Sequence, residues 1–503
     1  MLTYPEHDTF SATYQAGAPQ VVWTTLVSDL ETPVSAMLKL ADGRPNSFLL
    51  ESVQGGAVRG RYSVIGLKPD LIWRCCKGQA EINRNARFDS ETFTPCAEPP
   101  LLALRALLAE SRIDLPPALP PMAAGLFGYL GYDMVRQMER LPDANPDCLE
   151  VPEAVLLRPT VMAIFDGIEN RVIIATPVRP QAGLTSEAAL ALARERLADV
   201  VADLGRSLPY RRESLAALTD VPTAVSNTTR EDYHALVEKA KTYIRAGDIF
   251  QVVPSQRFRL PFRLPPFALY RALRRLNPSP FLFHLDFGDF SIVGSSPEIL
   301  VRLRDDTVTI RPIAGTRRRG ATPQEDRELA ADLLADPKEL AEHLMLLDLG
   351  RNDVGRVAQI GSVRVTEKMV VEYYSHVMHI VSNVEGTLDS RYDALDALIG
   401  GFPAGTVSGA PKVRAMEIID ELEKERRGIY GGAIGYFAAN GSMDTCIALR
   451  TAVLKDGVMV VQAGGGVVAD SDPEAEYQET VNKAMALIRA AEEAVRMAAG
   501  GAV

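Results

Sequence analysis

A chain of 503 residues is too long for one small domain, and a hydrophobic content of 47% is that of a globular protein with a sizeable core. Its 54 basic and 65 acidic residues give a net charge of -11, which argues against nucleic acid as the main partner because phosphate binding depends on clustered Lys and Arg. Any anionic substrate must therefore be held by local cations.

The cysteine pattern and the apolar runs indicate a cytoplasmic protein. The 5 cysteines are odd in number and have no C-x-x-C spacing, which is typical of a reducing compartment without disulfides. Residues 1–10 carry acids and lack the apolar core of a secretory signal. No apolar run approaches the roughly 18 residues of a membrane span, so we expect no membrane association.

The first part of the chain alternates short strands with a few helices. The predicted elements are strands at 21–26, 48–53, 62–67, 125–132, 161–165 and 171–176, a hairpin at 70–83, and helices at 33–40, 101–110 and 185–204. Between 205 and 229 the periodicity is lost and Pro, Ser and Thr become frequent. We therefore expect two regions, residues 1–225 and residues 226–503.

The second region begins with a capping box, Thr228-x-x-Glu231, ahead of a helix that stops at Gly247. Further predicted elements are strands at 250–258, 281–287, 291–295, 300–304, 307–311, 432–437, 445–454 and 458–462, a helical segment at 325–349, a helix starting near 411, and a terminal helix. Because strands adjacent in sequence dominate, we expect an α+β fold with large, mostly antiparallel sheets and helices packed outside.

A run of three glycines at 464–466 follows an apolar strand, and Glu476 and Glu479 then share one face of a helix. Glycine lets backbone amides approach a ligand closely. Like charges about 4 Å apart cost about 4 kcal/mol at an intermediate dielectric, so carboxylates beside a bound anion require a cation between them. The alternative is a strand end followed by a solvated acidic first turn.

A second acidic pair, Glu339 and Glu342, shares a face of the helix that follows Pro337. Such a pair is more often a solvated edge. The functional interpretation is that Glu342 completes a metal site with Glu479, and all-oxygen ligation suits Mg²⁺.

Two further positions suggest acid–base chemistry. His376 and His379 lie three apart, but zinc is a weak interpretation because no cysteine and no further histidine lies at ligand spacing. A single catalytic histidine, or one packed in the core, fits better. Glu298 follows a strand directly, the position of a general acid or of a simple turn.

Two sites could bind a carboxylate. Thr406 and Ser408 lie in a glycine-rich loop that opens a helix, where free amides and hydroxyls could hold an anion or only cap the helix. Arg450 ends an apolar strand and needs an anionic partner if it is buried.

Seven runs of the second region occur in an order that resembles one known family. They are AGDIFQVVPSQ (246–256), PIAGTR (312–317), KELAEHLMLLDLGRND (338–353), SHVMHIVS (375–382), FPAGTVSGAPKVRAME (402–417), RGIYGGAIGY (427–436) and the acidic stretch 462–479. With them the chain resembles the chorismate-utilising enzymes, and most closely the anthranilate synthase component I branch. The first region matches more loosely, at 49–52, 60–63 and 125–132.

The resemblance implies that chorismate lies on Mg²⁺ held by Glu342 and Glu479, with Glu339 and Glu476 in support. It also implies a set of substrate-binding residues, which are Gly315, Thr316, Thr406, Tyr430, Arg450, Gly464, Gly465, Gly466 and Lys483. Gly465 departs from the usual alanine, and Val481 from the usual arginine.

The family reaction adds ammonia at C2 of chorismate while the C4 hydroxyl leaves, and then eliminates pyruvate. The resemblance makes Glu298 the general acid, with Thr406 beside it, and His379 the base or proton carrier of the second step. Relatives that make aminodeoxychorismate commonly have lysine where this chain has Ala314, and relatives that use water have lysine where it has Gln251. Anthranilate is thus favoured over aminodeoxychorismate. The third alternative, a non-catalytic, tryptophan-sensing protein, is disfavoured because the acids, the histidine and the arginine of the site are all present.

Nothing in the sequence resembles a glutaminase, so the resemblance implies a separate glutamine amidotransferase subunit, in an assembly of two large and two small subunits. The family's tryptophan feedback site is matched by Glu51, Ser52, Pro280, Phe281 and Leu282. Phe281 replaces the usual tyrosine and Leu282 the usual methionine, and both remain apolar.

Overall fold

The computed structural model of the protein describes residues 1–41, 43–52, 60–208, 223–374 and 377–499. Its α-helices are α1 (His7–Gln15), α2 (Pro33–Ala41), α3 (Pro100–Glu110), α4 (Ser186–Leu204), α5 (Arg230–Ala246), α6 (Pro266–Leu276), α7 (Pro323–Ala335), α8 (Pro337–Gly355), α9 (Ala394–Gly401), α10 (Lys412–Leu422) and α11 (Pro473–Ala498). Short 3₁₀ turns lie at Pro121–Ala123, Tyr132–Gln137 and Gly405–Val407.

The strands occur between the helices along the whole chain. They are β1 (Gln20–Val27), β2 (Ser47–Glu51), β3 (Tyr62–Cys76), β4 (Gln79–Asn83), β5 (Thr94–Pro95), β6 (Gly125–Leu130), β7 (Ala154–Asp166), β8 (Arg171–Val178), β9 (Val225–Ser226), β10 (Gln251–Val252), β11 (Ser255–Pro261), β12 (Phe281–Asp286), β13 (Phe290–Ser296), β14 (Ile299–Arg304), β15 (Thr307–Ile310), β16 (Ile313–Arg318), β17 (Arg364–Tyr373), β18 (Val377–Thr387), β19 (Gly409–Ala410), β20 (Ala433–Ala438), β21 (Met443–Ile447), β22 (Thr451–Lys455) and β23 (Val458–Gly464).

The ladders between these strands are antiparallel. Apart from the extension β3-β4-β5 and the separate pair β10-β19, they form two series that share the long strand β7. The first series runs β1-β8-β7-β3-β2-β12-β13-β22-β23-β11-β9. The second runs β7-β6-β20-β21-β14-β15-β18, and β18 also pairs with β16 and β17. The expectation of large antiparallel sheets is confirmed.

Alternation along β3 shows how the two series pack. Val64 and Ile72 belong to an apolar cluster made by strands of both series, so this cluster lies between the sheets. Ile65, on the opposite side of β3, packs with residues of α1, α2, α4, α6 and α11. Trp73 packs with residues of α3, α8, α9 and α10. The fold is therefore two antiparallel layers with helices outside, which confirms the predicted α+β class.

Two predicted boundaries among the helices are wrong. The segment predicted as helical from 325 to 349 contains two helices, because Asp336 ends α7 and its side chain caps α8, with Pro337 at the first helical position. The N-cap of α5 is Thr229, which accepts from the backbone N–H of Asp232, and not Thr228.

Three strand predictions also differ from the structure. Residues 62–67 and the hairpin's first arm form one strand, β3. The strand predicted at 250–258 is interrupted at Pro254, between β10 and β11. The strand predicted at 445–454 is divided between β21 and β22, and Arg450 lies in the break with a φ of 47°. Residue 53 of the predicted strand 48–53 lies outside the described residues.

Strands from both sides of residue 225 are hydrogen-bonded to one another, since β2 pairs with β12 and β6 pairs with β20. Residues 209–222, around the predicted boundary, lie outside the described part, and the division at 225 stays a prediction. No helix within the described ranges is both long and apolar enough to cross a membrane.

Candidate active site

The glycine run lies where β23 ends, enclosed by side chains from three other segments. Lys483 of α11 donates from Nζ to the carbonyl of Gly464 at 2.9 Å. A Cβ built on Gly464 would lie 2.7 Å from the hydroxyl of Tyr430, and the N–H of Gly465 donates to the carbonyl of Pro254 at 3.2 Å. Glycine is required here by close approach.

Helices α8 and α11 bring the carboxylates of Glu342 and Glu476 to this run, and Glu339 and Glu479 lie on the same two helices. Glu342 of α8 accepts from Gln251 Nε2 at 3.2 Å, and a Cβ on Gly466 would lie 3.8 Å from Glu342 Oε1. On α11, Glu476 accepts from Ser471 Oγ at 2.6 Å. A Cβ on Gly465 would lie 3.0 Å from Glu476 Oε2.

The four carboxylates act on one another electrostatically. Burial raises the pKa of Glu342, and the charges of Glu339 and Glu479 raise it further. Burial likewise raises the pKa of Glu476, with a contribution from Glu479. Glu479 is paired with Lys483 at 2.7 Å. The site therefore holds more negative charge than its own cations offset.

Two polar atoms without hydrogen-bond partners also indicate that the site lacks positive charge. Glu476 Oε2 and Gln251 Oε1 are buried and have no hydrogen-bond partner in the part of the chain that the structure describes. In those ranges no group of three His, Cys, Asp or Glu side chains could hold a metal by itself. The unpartnered Glu476 Oε2, and the charges that Glu339 and Glu479 add beside Glu342, fit a cation whose remaining ligands are water and substrate.

Glu298 lies between β13 and β14 and is only 6% exposed. Burial raises the pKa of this carboxyl to about 8. Thr406 Oγ1 donates to Glu298 Oε1 at 3.2 Å. This bond and the charge of Lys483 lower the pKa of Glu298 and so offset part of the effect of burial. At neutral pH the group is therefore mostly protonated and can donate a proton.

His379 lies on β18, against the segment that contains Gly315 and Thr316. Its Nδ1 is 3.1 Å from the carbonyl of Gly315 and 3.0 Å from Thr316 Oγ1. Because a carbonyl can only accept, Nδ1 carries the hydrogen and Nε2 is left with a free lone pair. Burial lowers the pKa of His379 to about 4, so the ring is neutral at pH 7.

The same segment is tied to the carboxylates of α8. Gly315 has a φ of 74°, and a Cβ there would lie 3.1 Å from Glu339 Oε2. Arg317 donates to Glu339 at 3.2 Å and also pairs with Asp332 and Asp336. Arg317 therefore links the histidine side of the site to the start of α8.

Arg450 approaches His379 from the break between β21 and β22, and its charge contributes to lowering the pKa of that histidine. Burial lowers the pKa of Arg450, and no carboxylate among the described residues offsets this effect. A half-buried guanidinium without an anionic partner is costly in isolation, so it is available for a bound anion.

The five predicted effector residues line a cavity of about 780 Å³ between the two sheets, and this cavity also reaches Glu372 and Tyr374. Glu51, Ser52, Pro280, Phe281 and Leu282 line one wall of it. The carboxylate of Glu51 is turned away from the cavity and towards α6, where it accepts from Arg274 Nε at 2.8 Å and from the hydroxyl of Tyr270.

Comparison with known proteins decides the family. A family profile described as chorismate binding enzyme matches residues 68–489. Anthranilate synthase component 1 of Cereibacter sphaeroides is 64% identical over 487 residues, which are 97% of each chain. The chain belongs to the chorismate binding enzyme family.

Other relatives agree with this placement. Anthranilate synthase component 1 of Pseudomonas aeruginosa is 51% identical over 92% of this chain and 94% of its own. The crystal structure of anthranilate synthase component I from Streptococcus pneumoniae matches with a TM-score of 0.76 at 36% identity, over 92% of this chain and 99% of that one. The menaquinone-specific isochorismate synthase of Escherichia coli, with a TM-score of 0.69 at 20% identity, shares the fold.

These matches confirm the predicted resemblance, the fold class and the assignment as an enzyme. The structure brings all the predicted catalytic, substrate and metal residues of this family member to one site, while their roles stay predictions. Ser408 is turned into its own loop, where its hydroxyl donates to the carbonyl of Ala404 at 2.8 Å. His376 of the predicted histidine pair lies outside the described residues.

Tyr374 is a site residue that sequence reasoning did not find. Its ring meets the ring of His379 edge-on at 5.4 Å, and its hydroxyl donates to Glu372 Oε2 at 3.0 Å. It directly precedes the run 375–382, but no periodicity distinguishes it there from a surface tyrosine.

Proposed function

We propose that this member of the chorismate binding enzyme family is the large component of an anthranilate synthase in tryptophan biosynthesis. It aminates chorismate at C2 with ammonia and then eliminates pyruvate, with Mg²⁺ bound by Glu342 and Glu479. The observation that carries the proposal is the meeting of α8 and α11 at the glycine run, where the charge of Glu479 adds to the raised pKa of Glu342.

Magnesium suits this carboxylate set. Mg²⁺ prefers oxygen ligands, keeps several waters and often takes one or two carboxylates beside its substrate. Glu342 and Glu479 would hold it, with Glu339 and Glu476 in support through water. When bound, the ion neutralises a carboxylate of chorismate and stabilises charge that develops there.

Chorismate is a dianion, and the cations of the site hold it. Arg450 takes one carboxylate, because its guanidinium has no competing carboxylate among the described residues. Lys483 lies between Glu479 and the carbonyl of Gly464 and adds positive charge beside the glycine amides. Tyr430 and Thr316 present hydroxyls toward the ring.

Glu298 protonates the C4 hydroxyl as it leaves. Its buried carboxyl keeps a proton at neutral pH, and the hydroxyl of Thr406 stabilises the carboxylate left after donation. His379 then takes or carries the proton in the pyruvate-forming step through Nε2, because Nδ1–H is held by the carbonyl of Gly315.

Two positions favour external ammonia and anthranilate. Gln251, beside Glu342, is an amide and cannot act as a base toward water. Ala314, on β16 and 8% exposed, offers no amine to attack the ring. The nucleophilic lysine of aminodeoxychorismate synthesis and the basic lysine of isochorismate synthesis are therefore both missing from these two positions.

The ammonia comes from glutamine hydrolysed on a separate amidotransferase subunit, in an assembly of two large and two small chains. The curated relatives are named component 1, which implies a second component. A glutaminase thiol needs a lowered pKa. Burial instead raises the pKa values of four of the 5 cysteines, Cys75, Cys76, Cys96 and Cys446.

Tryptophan binds as feedback inhibitor in the cavity between the sheets. Its volume of about 780 Å³ admits an amino acid of that size, and Pro280, Phe281 and Leu282 provide apolar contact. Ser52 provides a polar edge.

The proposed function is tested by product analysis. Purified protein is incubated with chorismate, Mg²⁺ and ammonium at high pH, with EDTA in a parallel sample. We expect blue-fluorescent anthranilate and one equivalent of pyruvate, and neither with EDTA. A non-fluorescent amino product would indicate aminodeoxychorismate synthase instead, and no turnover would contradict the enzymatic assignment to chorismate amination.

A further inference from the structure

Arg427 lies behind the candidate site and is 2% exposed, and no role has been given to it so far, although Tyr430 of the same run 427–436 is a predicted substrate-binding residue. Its Nε donates to Glu423 Oε2 at 3.0 Å and its NH2 to Glu423 Oε1 at 2.6 Å. The guanidinium lies over the rings of Tyr132 and Tyr430, at 4.8 and 5.4 Å from their centroids. The buried cation is thus fully compensated.

The remaining donors of Arg427 reach two loops that carry site residues. NH1 donates to the carbonyl of Val407 at 2.6 Å, next to Thr406. NH2 donates to the carbonyl of Val253 at 2.5 Å, in the loop whose Pro254 carbonyl accepts from Gly465.

Glu423 strengthens the second of these links. Its Oε1 accepts from the backbone N–H of Ser255 at 2.8 Å and from Ser255 Oγ at 2.7 Å. The ion pair therefore touches three segments of the site: the Thr406 turn, the loop at 253–255 that supports the glycine run, and Tyr430.

We propose that Arg427, held by Glu423, is a positioning residue that fixes Thr406, Tyr430 and the glycine run relative to one another. It touches no reacting atom, and the inference rests on the proposed function. Only a guanidinium can serve all these acceptors at once, because its five N–H donors lie in a fixed plane. A lysine ammonium is a single point with three donors.

The position of Thr406 gives this role a specific signature. The bond from Thr406 Oγ1 favours the charged form of Glu298, so a displaced Thr406 leaves the pKa of Glu298 higher still. The other charged or titratable groups that face Glu298 are Lys483 and Tyr374, and neither contacts Arg427. Activity that depends on protonated Glu298 is then lost at a higher pH.

The test is Arg427→Lys, assayed with chorismate and Mg²⁺ over a range of pH at a fixed concentration of free ammonia. We expect kcat to fall roughly 10- to 100-fold, the cost of misplacing catalytic groups by about an ångström. The alkaline limb of kcat/KM should move to higher pH. In a double-mutant cycle with Thr406→Val the two effects should be less than additive, because both act through the same bond.

Arg158→Lys is the matched control. Arg158 is 8% exposed and binds Asp70 at 2.8 Å and Glu110 at 3.2 Å, away from the site. It should lose comparable stability without a change in kcat or in the alkaline limb. If Arg427→Lys does not fold, Glu423→Gln replaces it and should shift the limb in the same direction.

The positioning role would be overturned by a folded Arg427→Lys protein whose kcat and alkaline limb match those of the wild type. It would also be overturned if Arg158→Lys lost as much of its kcat as Arg427→Lys does. Absence of amination in the wild-type protein would instead overturn the proposed function. The two failures are therefore distinguishable.

Discussion

Burial acts in opposite directions on Glu298 and His379, the two groups that we propose as acid and base of this site. It raises the pKa of Glu298 to about 8 and lowers that of His379 to about 4, because in each case the charged form loses hydration. Between these values Glu298 keeps its proton and the His379 ring is neutral. One environment thus supplies an acid and a base at the same pH.

The pH dependence of kcat/KM at fixed free ammonia should therefore be bell-shaped. Activity should fall below pH about 4, as His379 becomes protonated, and above pH about 8, as Glu298 loses its proton. Glu298→Gln should lower turnover by roughly 100- to 10,000-fold, the worth of a general acid, and remove the alkaline limb. A retained limb in this variant would show that another group titrates there.

Asp286→Asn provides the control for that experiment. Asp286 is also an acid whose pKa is raised by burial, but it caps the turn at Gly288, away from the site. Both limbs should remain in this variant.

The order of the motifs predicts which residues lie together in the site. It does not predict the surroundings that set the pKa values of those residues. Glu298 and His379 are identifiable from the runs around them. The raised and lowered pKa values depend on burial between two sheets and on the Gly315 carbonyl, which approaches His379 through pairing of β16 with β18. Such long-range contacts leave no local sequence signal, and Tyr374 was missed for the same reason.

Among the elements, those with a strong local pattern were predicted well. Helix α5 ends at Gly247, whose φ of 84° suits the left-handed cap that glycine prefers. The break at Asp336 between α7 and α8 was missed in the predicted segment 325–349, although Pro337 at the start of α8 is a local signal for it. The break at Arg450 has no local sequence signal. Arginine rarely adopts a positive φ, and only the surrounding fold requires that backbone conformation at this position.

The end of β2 offers a test of the effector proposal. Ser52→Phe should place a ring in the inter-sheet cavity and compete with tryptophan for the space beside Leu282. We expect the tryptophan inhibition constant to rise at least about tenfold, which is about 1.4 kcal/mol of lost binding. The uninhibited rate should stay within about twofold.

Thr9→Phe adds the same ring at an exposed position of α1 and is the control for adding a phenyl group to the protein. Direct titration of tryptophan separates binding from inhibition. Unchanged affinity in Ser52→Phe would place the effector outside this cavity.

For the whole molecule, the two sheets bring distant segments of the chain to one place. Helix α8 precedes β17 and β18, while α11 ends the chain, yet their carboxylates face each other across the glycine run of β23. The mutual repulsion of these groups opposes folding of this region unless a cation joins them. Binding of a cation is therefore expected to stabilise this region of the fold.

The most direct test of this account is the Mg²⁺ dependence of Glu342→Gln and Glu479→Gln, measured by calorimetric titration with chorismate present and by turnover. Each variant should remain folded, bind Mg²⁺ at least about tenfold more weakly, and lose nearly all anthranilate formation. Glu474→Gln, at a half-exposed acid of the same helix α11 that pairs with Arg230, should bind Mg²⁺ and turn over as the wild type does. Wild-type Mg²⁺ affinity in both site variants would contradict the magnesium site.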